Sequence, residues 1–176
     1  MSEVDYSFQG LPLHVLLVHV VLIAVPVVAL LLVVLAAWPA ARRVLWIPAL
    51  AASILLVPLG LVTVEAGRWL EARVPAAPLI QAHTAKGEDI VPWLWAVASM
   101  GVLVAAWQVT CSILRRRSPD PDTVSPPRSL AIGVGVVLTL AAAAVAVGSI
   151  WTVVQIGESG SRAVWEGSFS DTPLER

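Results

Sequence analysis

Charge is what this sequence has least of. Of its 176 residues, 13% are Asp, Glu, Lys or Arg, while 58% are apolar. A soluble domain carries about 25% charged residues, so a water-facing surface over most of this chain is excluded. The few charges are also gathered. None occurs from Tyr6 to Ala41, from Val44 to Val64, from Ile90 to Leu114, or from Ser129 to Gly157. Cysteine is nearly missing as well. Cys111 stands alone, which excludes an intrachain disulfide and a thiolate metal site. It reads as a small apolar packing residue. The chain has no GxGxxG, no phosphate-binding GK[ST] loop and no HExxH. Ser159 in IGESGSR sits at a helix-to-loop passage, the wrong context for a hydrolase nucleophile. No charged residue falls in the middle of an apolar block, which argues against an ion pathway.

What is present is four apolar blocks. Each matches or exceeds the roughly 20 residues that span about 30 Å of hydrocarbon. Backbone amides in lipid must bond within their own segment, so each block should be a helix. The expected fold is an all-α, integral-membrane, four-helix bundle. Its helices run over about 11–38, 44–65, 90–114 and 129–156, with an outer loop 66–89 and a cytoplasmic linker 115–128. Together they form a membrane domain 11–156 between tails 1–10 and 157–176. The first block is not read as a cleavable signal peptide, because Glu3 and Asp5 precede it and no Lys or Arg does.

Charge density orients the bundle. Arg42, Arg43, Arg115, Arg116, Arg117 and Arg128 crowd into the two connections 39–43 and 115–128. The opposite face spreads Arg68, Arg73, Lys86, Arg162 and Arg176 over a much longer stretch and carries ten acids. The arginine connections should therefore be cytoplasmic and both termini extracytoplasmic. Trp38 and Trp46 fall at the inner boundary, and Trp69, Trp93, Trp95, Trp151 and Trp165 at or beyond the outer one, as indole rings prefer. Trp107 is expected to pack inside. Small residues at four-residue spacing (Ala49 and Ser53, Gly101 and Ala105, Ala131 and Gly135, Ala144 and Gly148) suit close helix contact. Pro26, Pro58 and Pro92 are candidate kinks. The linker RRRSPDPDTVSPPRS should be exposed.

All three histidines, His14, His19 and His83, gather toward the outer end, with Glu65 and Glu158. Imidazole and carboxylate suit a divalent transition metal. Two histidines on facing helices suit a b-type haem. His14 and His19 are five apart, about 140° around a helix, so a regular helix cannot aim both at one ion. His83 precedes Trp95 by twelve residues. It would stand roughly 15 Å above the interface on an unbroken helix, and must fold back to meet His19. The metal set considered is His19, His83, Glu65 and Glu158. The haem set is His19 and His83, with His14. In this reading His19, at the lipid edge, is the better candidate, and His14 serves the helix entry. The bland alternative gives His19 one structural hydrogen bond and pairs Glu65 with Arg68 or Arg162.

GLPLHVLLVH, followed by VVLIAVP, resembles the first helix of a bacterial family of predicted membrane proteins called domain of unknown function 2231, whose signature is His-Pro-x-x-Val-His-Phe. VTVEAGRWLEARV, AHTAKGEDIVPW and IGESGSRAVW resemble landmarks of its actinobacterial branch. The resemblance implies a four-helix membrane bundle. It marks His14, His19 and His83 as signature positions. Some relatives join this module to Rieske-type or cytochrome domains, which implies a redox setting. Val15 replaces the usual Pro, and Glu158 stands where many relatives have His. That departure weighs against a four-histidine, two-haem scheme. The expected function is a multi-pass membrane module, without catalytic machinery of its own, beside a membrane complex. A haem b or divalent-metal module is the first alternative and a proton-coupled small-solute carrier the second. Expected partners are the lipid bilayer and a membrane complex or a second copy, with no nucleic acid.

Overall fold

The computed structural model describes residues 5–117, 126–170 and 172–173. The linker expected to be exposed lies outside the described residues at 118–125, and so do 1–4, 171 and 174–176.

The chain begins with a two-strand hairpin. β1 (Ser7–Phe8) pairs antiparallel with β2 (Leu11–Pro12). Gln9 and Gly10 form the turn, both with positive φ. That geometry fits the twist of a two-residue hairpin loop, and glycine adopts it without strain. Residues 7–10 of the expected tail and 11–12 of the expected first helix form this hairpin instead. Leu13 N–H then donates to the Tyr6 carbonyl at 2.8 Å, which ties the hairpin to the start of the first helix.

Five helices follow: α1 (Leu13–Ala37), α2 (Pro39–Glu71), α3 (Pro78–Gly87), α4 (Ile90–Arg117) and α5 (Arg128–Trp165). Four of them are long and apolar enough to cross a membrane, with α3 running into α4 in the third of these spans. The long helices form a ring. α1 lies against α2 and α5, and α4 against the same two. α3 lies over the ends of α5 and α2. The bundle thus has two poles. The histidine pole collects the start of α1, the ends of α2 and α5, and α3. The arginine pole collects the α1–α2 corner, the end of α4 and the start of α5.

Helix bounds exceed the charge-free blocks at several ends. α2 begins at Pro39 rather than 44 and ends at Glu71, and α5 runs on to Trp165. Charge marks where lipid stops, not where helical hydrogen bonding stops. The α1–α2 connection is Trp38 alone, with Pro39 at the first helical position, where its missing N–H costs nothing. Arg42 is consequently a helical residue, and it is 5% exposed. Its Nη1 donates to the Leu35 and Ala36 carbonyls at 3.1 and 3.2 Å, two of the acceptors that a helix end leaves without intrahelical donors. Its Nε donates to Gln108 Oε1 at 3.4 Å.

Leu32, Leu35, Leu94, Val97 and Val104 fill the core and are almost fully buried. Ser53 and Ser149 are buried beside them, each donating to its own helix, to Leu50 O and Ala146 O. Gly101 meets Ser53 so closely that a Cβ there would strike the hydroxyl. Gly148 seats the Trp93 ring in the same way. These contacts use one or both members of three of the small-residue pairs, through Ser53, Gly101 and Gly148. Gly135 has open space where a side chain would be, and Ala144 is exposed, so those two are not contacts within the bundle. Trp107 packs on the core. Pro26 and Pro58 lie inside continuous helices, as does Pro48. Pro92 lies in the first turn of α4, where no backbone donor is needed.

Candidate functional site

The histidine pole holds a cavity of about 650 Å³. Its walls are mostly apolar, from Val18 and Leu22 of α1 to Val153 and Ile156 of α5, with Ile80 of α3 above. His14, His19, His83, Thr63 and Thr84 supply polar atoms. This is the usual make-up of a small-molecule site, an apolar enclosure with a few placed polar groups.

His83 reaches the cavity from α3, which carries the α4 line on along α5: Trp93 meets Gly148, and ten residues earlier His83 meets Gly160. α3 ends at Gly87, and Glu88 and Asp89 turn the chain before Ile90. Arg68 secures that turn. Its Nη2 donates to Glu88 Oε1 at 2.7 Å and its Nη1 to Glu65 Oε1 at 2.5 Å. All three side chains are about half exposed, so each pair contributes at most about 1 kcal/mol.

α3 sets His83 beside His14. The ring centroids are 6.2 Å apart and the planes meet at 70°. Both rings are held at Nδ1. His14 Nδ1 lies 3.0 Å from the Thr63 carbonyl, which can only accept, so this nitrogen carries the proton. His83 Nδ1 lies 3.0 Å from Ser159 Oγ. Ser159 donates its single proton to the Ile156 carbonyl at 2.8 Å. Its oxygen is therefore an acceptor toward His83, and His83 Nδ1 is the donor. In the neutral rings both Nε2 atoms then carry a free lone pair.

Two glycines let the rings in. A Cβ on Gly67 would stand 3.0 Å from His14 Nδ1, and one on Gly160 would stand 2.9 Å from His83 Cε1. Each ring thus lies against a helix surface stripped of its side chain and is bonded to that same helix, α2 for His14 and α5 for His83.

His19 lies apart from this pair. Its Nδ1 is 2.7 Å from the Val15 carbonyl of its own helix, and the residue is exposed at the cavity rim. The expected fold-back of His83 toward His19 is not what brings it in: α3 runs on along α5, and the neighbour of His83 is His14. Glu65 is held by Arg68, and Glu158 by Arg162 at 2.9 Å, both in solvent. His19, His83, Glu65 and Glu158 are not brought together. Among the described residues, no group of three or more His, Cys, Asp and Glu is placed to hold a metal ion. Ser159, Thr63, Gly67 and Gly160 were missed as site residues. The signal was slight: a glycine close to a small hydroxyl residue in both VTVEAG and ESGS. No family model matches the chain, and neither a curated protein nor a solved structure matches it.

Proposed function

We propose that this chain is a cell-membrane module whose histidine-pole cavity binds an iron macrocycle of the haem type between His14 and His83. The observation that carries the reading is the imidazole pair. Both rings are locked at Nδ1 by protein acceptors, which is how ligating histidines are oriented. Both leave Nε2 free beside an apolar cavity. The two rings are neighbours, with centroids 6.2 Å apart, and both line the cavity. The donor count favours a macrocycle over a bare ion. A structural zinc wants four protein ligands, whereas a haem brings four nitrogens and asks the protein for two axial ones.

The module's frame supports a place in the membrane. Six arginines mark one pole, and the other carries ten acids against five bases. The positive-inside bias then sets the histidine pole and both termini on the extracytoplasmic side. A bound haem would supply one-electron chemistry. The chain's own residues bind it, orient it and shield one end of it from water. Ser159 touches His83 but gives its proton to the Ile156 carbonyl rather than to the ring, and we read the module as an accessory beside a membrane complex.

The test is to purify the protein in mild detergent, record oxidised and reduced absorption spectra, and measure iron. One haem per chain, with the sharp reduced bands of a six-coordinate iron, is expected. A chain expressed with ample haem supply that remains colourless, and takes up none when haem is added, returns the reading to a cofactor-free interaction module.

A further inference from the structure

The arginine pole has a groove of its own, of about 520 Å³, between the α1–α2 corner and the start of α5. Arg42 and Arg128 stand at one end, and Ile132, Gly135, Val136 and Leu140 of α5 line its length. Three features there attract an anion. Arg42 is 5% exposed, and its hydrogen bonds use Nη1 and Nε only. No buried side-chain nitrogen or oxygen among the described residues lacks a partner. Among the described residues its Nη2 is therefore neither bonded nor sealed, and Arg42 lines the groove. Arg128 is exposed at the same end, and among the described residues no carboxylate pairs with either arginine. The third feature is the α5 N-terminus, where Pro127 supplies no side-chain cap for the first N–H groups, and such an end favours anions.

We infer that this groove binds an anionic phospholipid, its phosphate between Arg42, Arg128 and the α5 N-terminus and its acyl chain along α5. The shape selects a lipid over a free anion. From Arg128 to Leu140 the groove wall follows one helix face for roughly 18 Å, apolar below its charged end, as basic pockets for lipid headgroups are. A second copy of the chain is the weaker occupant, since parallel copies in one membrane would bring two positive poles together. The inference rests on the membrane-spanning reading but not on haem binding.

The experiment is native mass spectrometry of the full chain, delipidated in detergent and offered phosphatidylglycerol, phosphatidylcholine or inorganic phosphate. One retained phosphatidylglycerol per chain is expected, in preference to phosphatidylcholine. Arg128→Gln should reduce that preference about fivefold, the effect of one basic residue near an anionic headgroup. Gly135→Leu, at a position with open space for a side chain, should weaken both lipids alike by filling the track. Equal retention of the two lipids, an unchanged Arg128→Gln, phosphate competing as well as the lipid, or a lipid-free dimer occluding the groove would each overturn it. A chain that stays dispersed without detergent would instead overturn the membrane reading. An unchanged haem spectrum in Arg128→Gln keeps the two sites separate.

Discussion

Ser159 has one proton and gives it to the Ile156 carbonyl. That single fact fixes which nitrogen of His83 is free, and a similar one fixes His14 through the Thr63 carbonyl. Removing the hydroxyl should loosen the ring without removing the ligand atom. Ser159→Ala is expected to weaken cofactor binding about 10- to 100-fold, the usual effect of losing an orienting partner, in a titration followed at the haem absorption band. Gly160→Ala places a methyl 2.9 Å from His83 Cε1. It should displace the ring and weaken binding further than Ser159→Ala, with the helical content seen by circular dichroism retained. Such details were illegible in the sequence. The histidines stood out as scarce nitrogens at one end, but the choice between His14 and His19 turns on helix rotation at the start of α1. Their separation of about 140° shows that a regular helix cannot aim both at one ion, not which of them it aims.

At the scale of elements, the four long helices were legible because lipid forbids unpaired backbone and demands about 20 apolar residues in a row. The short helix α3 was not. Its ten residues are amphipathic only weakly and lie between charged stretches, so they passed for loop. Its place beside α2 and α5 depends on the Glu88–Asp89 turn and the Arg68–Glu88 pair, and the pair is a tertiary fact. Helix contacts were half legible. Gly101 against Ser53 uses small-residue spacing as expected, while Gly135 has open space where a side chain would be among the described residues. Gly101→Leu would overpack the α2–α4 contact at a cost of about 1–3 kcal/mol. A lower midpoint in detergent unfolding is expected, whereas Gly133→Leu, at a glycine with open space around it, should leave the midpoint nearly unchanged.

Across the whole molecule, charge separates the poles and the membrane reading follows from it. Cys111 is the one cysteine in the sequence, so a Cys111→Ala background gives a clean labelling test. A cysteine replacing Ser168, at the histidine pole, should react with a membrane-impermeant maleimide in intact cells. One replacing Ser129, at the arginine pole, should react only after the cells are opened. The reverse pattern would invert the topology. The claim that His14 and His83 form one site is tested most directly by haem titration of the detergent-purified apoprotein and three variants. The wild type and His19→Ala should each bind one equivalent with a six-coordinate spectrum. His14→Ala and His83→Ala should each lose that spectrum and at least tenfold in affinity, the loss expected when a metal ligand rather than an orienting group is removed. Wild-type binding in both of those variants, or its loss in His19→Ala alone, would contradict the account.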